Sequence, residues 1–169
     1  MKLMKDKLDR EACLKRAQLA FSSGYHCAQS ALIAMAPACG LEQEEAAKLA
    51  ASFGGGVGGM GEICGALNGA CIALGILKGD FGPGDLEGKE AHYARVQRLA
   101  ERFKEANGSL YCRDIKREDP VEKKKYCTRC VVSAVEALLD VREPRLRQKL
   151  YVATRKNYDK LVAEGKAIL

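Results

Sequence analysis

The sequence predicts an all-α protein, a compact single-domain bundle of about seven helices over residues 1–169. Two observations carry that prediction. Apolar residues recur at intervals of three and four, not two, which is the helical period. Gly and Pro cut the chain into segments of helical length, and strands are hard to find. A chain of 169 residues that is 47% hydrophobic and 30% charged is long enough to bury one core of its own without covalent staples.

The first segment, about Asp6 to Ser22, puts Cys13, Ala17, Ala20 and Phe21 on one face and stops at Gly24. The second runs from about Tyr25 to Met35, ahead of Pro37, and the third, Glu42 to Phe53, is alanine-rich and gives way to the loop GGGVGGMG. A fourth, Glu62 to Lys78, has no charge between its ends and reads as buried. Gly61, Gly65, Gly69 and Ala73 are spaced by four along it and form a ridge of almost no side-chain volume. Glycine costs a helix about 1 kcal/mol relative to alanine, so the ridge implies close approach of another helix. The fifth segment, Asp85 to Asn107, carries the stripe Tyr93, Val96, Leu99, Ala100 and Phe103 and stops at Gly108. Pro120 opens a sixth helix through Val141, and Pro144 a seventh with Leu146, Leu150, Ala153, Leu161 and Ile168.

The N-terminal stretch MKLMKDKLDREACLKRAQLAF interleaves charge with apolar residues, and no apolar run reaches membrane-spanning length, so the expectation is a cytoplasmic protein with no membrane association. Eight cysteines in a reducing compartment point to metal ligation, redox chemistry or core filling and away from structural disulfides. The net charge of +6 lies in the last third: residues 1–112 balance 13 cations with 13 anions, and residues 113–169 carry 15 against 9. That excess lacks the aromatic interleaving and clustered arginines of a nucleic-acid platform, so no nucleic-acid partner is expected.

Cys64, in GEICGALNG, falls in the first turn of the fourth helix, where free N–H groups and the helix dipole favour a thiolate; packing beside glycines is the alternative. Cys71 lies two turns further along the same face, about 10 Å away, and reads as core. Cys127 and Cys130 form a CxxC among lysines and Arg129, a setting that depresses thiol pKa and permits a disulfide or a shared metal. Cys27 opens the second helix and Cys112 follows a loop. The two histidines, His26 and His92, are far apart, and His26 diverges by about 100 degrees from adjacent Cys27 on a helix, which disfavours a Cys/His nucleophile. The glycine loop lacks the Lys-Ser/Thr that would follow in a phosphate loop.

In this order, FSSGYHCAQSAL, SFGGGVGGMGEICGALNGA, GSLYCRDI and CTRCVVSAVEALL resemble the C_GCAxxG_C_C family of redox-active proteins over about residues 10–141. The resemblance rests most on CGAxxG at Cys64, Gly65, Ala66 and Gly69, and the basic tail from about Arg142 lies outside it. It implies four functional cysteines, Cys27, Cys64, Cys112 and Cys127, with Cys130 as the substitute for the last; Gly65 and Gly69 beside them are the expected cofactor-binding positions. Cys13, Cys39 and Cys71 fall outside the pattern. The four are expected to converge on one site.

Two chemistries follow. Four converging thiolates could hold an iron–sulfur cluster, or zinc at the same address, for electron transfer or sensing. Without metal, the same thiols would act as a thiol/disulfide redox protein with Cys64 as nucleophile. A helical interaction module with incidental cysteines is the third reading. The expected partner is a redox protein or a small-molecule oxidant or reductant, with a homo-oligomer also compatible.

Overall fold

The computed structural model describes residues 9–142. The Asp9 carboxylate accepts from the Ala12 N–H at 2.7 Å and starts α1 (Arg10–Ser22), which buries Cys13, Ala17 and Ala20. His26 starts α2 (Cys27–Cys39): its Nδ1 accepts from the Gln29 N–H while Gln29 Oε1 accepts from the His26 N–H, a reciprocal cap. The helix runs through Pro37, further than the sequence predicts, and ends on left-handed Gly40. So close to the end Pro37 forfeits only a late hydrogen bond. Arg16 Nε donates to the Ala34 carbonyl in the same stretch, at 3.0 Å.

Glu42 caps α3 (Gln43–Ala50), which tightens into a 3-10 turn at Ala51–Phe53. The glycine loop follows. Next come α4 (Gly65–Lys78), α5 (Leu86–Asn107), the single turn α6 (Cys112–Ile115) and α7 (Pro120–Val141). The molecule is all-α as expected: its described residues form seven α-helices and no strand. None of these helices is long and apolar enough to cross a membrane. The seventh helix expected from Pro144, with the rest of the basic tail, lies outside the described residues, as do residues 6–8 of the first segment.

Helix α4 starts at Gly65, not Glu62, because Ile63 pairs with Tyr111 in an isolated antiparallel bridge. Cys64 N–H donates to the Leu110 carbonyl at 2.8 Å and Cys112 N–H to the Glu62 carbonyl at 2.7 Å, which draws residues 62 and 63 into extended backbone. Gly61 therefore belongs to the loop, against Arg113, and not to the helical ridge.

The core lies around α2, which packs on α1, α3, α4 and α7 and is buried over most of its length. Leu32, Leu74, Leu99, Leu138 and Phe103 are buried within it. Each such side chain contributes about 1.5–3 kcal/mol relative to exposure. The closest packing is between α2 and α4. A methyl on Gly69 would run into the Ala28 carbonyl and come within 3.0 Å of the Ala31 Cβ. Only glycine permits that approach.

Candidate thiol site

Three local structures carry cysteines to the same place. The bridge at Ile63–Tyr111 sets Cys64 and Cys112 diagonally across two extended segments, and strand alternation puts both side chains on one face. The tight α2–α4 contact brings Cys27 to the start of α4: a Cβ on Gly65 would lie 2.6 Å from the Cys27 sulfur. On α7, Cys127 and Cys130 are three residues apart and share a helix face.

The glycine loop is the common wall. Gly55, Gly56, Gly58, Gly59 and Gly61 all have positive φ, and the loop closes on itself through Gly59 N–H to Gly54 O and Glu62 N–H to Gly56 O, both 3.0 Å. The Gly55 backbone amide favours a Cys27 thiolate. Gly56 (φ 73) lies against Cys112, where an added methyl would come within 2.7 Å of its Cβ. The loop's backbone is thus engaged with itself and with two of the thiols.

The electrostatics ties the group together. Burial raises the Cys27 thiol, Gly55's amide opposes it, and negative charge on Cys64 adds to the rise. Cys112 is raised by burial, then by Cys64 and Cys27, and lowered by Lys116 and Lys123. Cys127 is pushed up to about 11 by burial and then by Cys27, Cys64 and Cys112. Cys64 lies well above the ordinary thiol range, first because its thiol hydrogen-bonds Cys130 and then because it is buried.

These directions correct two expectations. Cys64 does sit at a helix N-terminus, and the Ala66 and Leu67 amides do favour its thiolate. The Cys130 sulfur and the surrounding burial outweigh them, so Cys64 is held as a thiol and is a poor first nucleophile at neutral pH. The lysines near the CxxC likewise fail to depress Cys127, because burial dominates.

Cys27, Cys64 and Cys130 are buried, and Cys112 and Cys127 are half-buried at the outer side. Both residues of the CxxC belong to the group: Cys127 feels the charge of Cys27, Cys64 and Cys112, while Cys130 is the strongest influence on Cys64. Cys13 instead accepts from Arg16 at 3.2 Å, Cys39 faces the Ala73 carbonyl, and Cys71 packs against the core. None of the three is influenced by the other group. Gly65 abuts the Cys27 sulfur, whereas Gly69 serves the α2–α4 contact. His26 caps α2 through Nδ1, and its Nε2 lies 3.1 Å from the Ala51 carbonyl, so the ring is engaged at both nitrogens. A groove of about 380 Å³ between α1 and α2, lined by Arg16, Tyr25 and Leu41 among others, contains no cysteine.

Asn107 and Ser133 are the residues that sequence reasoning missed. Both are buried beneath the thiols; the Cys130 thiol donates to Asn107 Oδ1 at 3.4 Å and Asn107 Nδ2 donates to Ser133 Oγ at 2.8 Å. The available signal was Ser133 three residues after Cys130, on the same helix face. Among the described residues, no group of three or more His, Cys, Asp or Glu side chains is arranged to hold a metal ion.

The family model described as "Putative redox-active protein (C_GCAxxG_C_C)" matches residues 25–141. An uncharacterized protein of Archaeoglobus fulgidus is 34% identical over 124 residues, covering 68% of this chain and 82% of its own length. No solved structure matches the chain. The matched span contains all five grouped cysteines, the glycine loop and Asn107, and the chain belongs to the C_GCAxxG_C_C family of redox-active proteins.

Proposed function

We propose that the chain is a thiol/disulfide redox protein whose working pair is Cys64 and Cys130, served by the outer thiols Cys112 and Cys127. The observation that carries this reading is that buried Cys64 and Cys130 belong to one group with half-buried Cys112 and Cys127, and that Cys130 is the neighbour that most raises the Cys64 thiol. A disulfide between them brings the two sulfurs to about 2.05 Å.

The outer thiols are half-buried, and Lys116 and Lys123 favour the Cys112 thiolate. In the reaction a Cys112 thiolate attacks an acceptor disulfide, forming a mixed disulfide and expelling one acceptor thiolate, which takes a proton. Cys64, losing its proton, displaces the second acceptor thiolate from Cys112. Cys130, losing its proton, then displaces Cys112 from Cys64. The products are a Cys64–Cys130 disulfide, two acceptor thiols and the restored Cys112 thiolate. The acceptor is reduced by two electrons and the protein oxidised by two.

The test is anaerobic purification, metal analysis and an absorption spectrum, followed by oxidation with a small disulfide and mapping of linked cysteines by mass spectrometry. The expected result is a colourless protein that acquires a Cys64–Cys130 link. Iron with acid-labile sulfide and visible absorption would replace this reading with the cluster chemistry. Zinc bound stoichiometrically through these thiols, or no linkage among the five, would also overturn it.

A further inference from the structure

We infer that Asn107 is a positioning residue that holds the Cys64–Cys130 pair in its reduced form and so makes the corresponding disulfide more oxidising. The inference rests on the thiol/disulfide reading above and adds to it a residue that sets the redox equilibrium.

Asn107 is the last residue of α5 and is 9% exposed. Its amide orientation is fixed by both ends. Nδ2 donates to the Phe103 carbonyl at 2.9 Å and to Ser133 Oγ at 2.8 Å, which uses both of its hydrogens. The oxygen is therefore the atom turned toward Cys130, and an amide oxygen can only accept. The sulfur 3.4 Å away satisfies it only while it carries a proton. Ser133 Oγ donates in turn to the Cys130 carbonyl at 3.2 Å, tying the amide to the turn of α7 that carries the thiol. The Cys130 thiol thus donates to the Asn107 oxygen, and Cys130 is in turn the neighbour with the strongest influence on the Cys64 thiol.

Oxidation removes both donors. The two S–H groups lose two protons and two electrons and one S–S bond forms; oxidised glutathione takes the electrons and protons as its own S–S bond becomes two thiols. Asn107 Oδ1 is left facing a sulfur that has no hydrogen. Rotating away would break the two Nδ2 bonds, so the oxidised state keeps a buried acceptor without that donor. The reduced state is favoured by the difference.

The full chain is equilibrated in glutathione redox buffers and trapped with an alkylating agent, and the oxidised fraction of the Cys64–Cys130 pair is read by mass spectrometry. Asn107→Ala is expected to shift the equilibrium about tenfold toward disulfide, a fall in potential of about 30 mV for this two-electron couple. Ser133→Ala, which leaves the oxygen in place and loosens its anchor, should shift it the same way by about threefold. If Asn107→Ala does not fold, Ser133→Ala carries the test. A merely structural role for Asn107 would lower the melting temperature of the reduced protein and leave the redox midpoint unmoved, and that result overturns the inference while the disulfide chemistry stands. If the parent protein forms no Cys64–Cys130 disulfide in any buffer, the inference falls together with the reading beneath it.

Discussion

Val57 shows how far the glycine loop is constrained at single positions. It is the only non-glycine among the described residues with positive φ, at 61°, where a β-branched side chain is strained by about 1–2 kcal/mol. Its neighbours are glycines, so the loop's left-handed path is set by them and Val57 follows it. Val57→Gly should therefore stabilise the protein or leave it unchanged, an inversion of the usual effect of inserting glycine; a urea unfolding midpoint lowered by the substitution would contradict the strain argument. The thiols also differ residue by residue. Cys112 is half-buried with two lysines opposing the rise of its pKa, whereas Cys64 is buried and raised most by Cys130. Iodoacetamide at neutral pH should label Cys112 well before Cys64. Time-resolved peptide mapping gives the order, and early labelling of Cys64 would restore it as the first nucleophile.

At the scale of elements, the tightest requirement is the seam between α2 and α4. Gly69 faces the Ala28 carbonyl with no room for a methyl, while Gly75, further along the same helix, has no atom within 4 Å of an added Cβ. The two glycines should respond oppositely. Gly69→Ala forces the helices apart and should destabilise by about 1–3 kcal/mol. Gly75→Ala removes backbone freedom from a helix interior without a collision and should stabilise by about 0.5–1 kcal/mol. Chemical denaturation of both variants checks the pair, and equal effects would mean that the seam is not limited by backbone contact. Because Cys27 starts α2 and Cys64 caps α4, Gly69→Ala should also slow formation of any disulfide across that seam.

Across the whole molecule, burial sets the behaviour of the thiols. Cys39, Cys71 and Cys127 are each pushed up from 9.0 to about 11, with burial the first cause in all three. Raised acid pKa values mean that the folded state holds protons which the unfolded chain releases. Under reducing conditions their contribution to stability is fully present below about pH 9 and is lost as pH rises toward about 11. The melting temperature should fall across that window, and Cys71→Ala should make the fall shallower. A slope unchanged by removing Cys71 would assign it to other groups. The same burial makes slow outer-thiol chemistry at neutral pH the expectation, with rates rising steeply in alkali.

The helices were legible from the chain alone because their causes are local: apolar spacing, Pro120 at a first turn, and Gly108 as a stop lie within a few residues of what they control. The tight fit at Gly65 and Gly69 was legible for the same reason, since a missing side chain is written in the sequence. Only the tertiary structure decided that Glu62 and Ile63 are extended, because their partners Tyr111 and Cys112 are distant in the chain. It also turned the choice between Cys127 and Cys130 into a setting where both face the same thiols, and it reversed the expected activation of Cys64. A thiol's protonation depends on burial and on whatever charge or sulfur lies beside it in space. Cys64 meets Cys130, and Cys130 meets Asn107, through folding alone, so neither the pair nor its buried amide could be read from spacing.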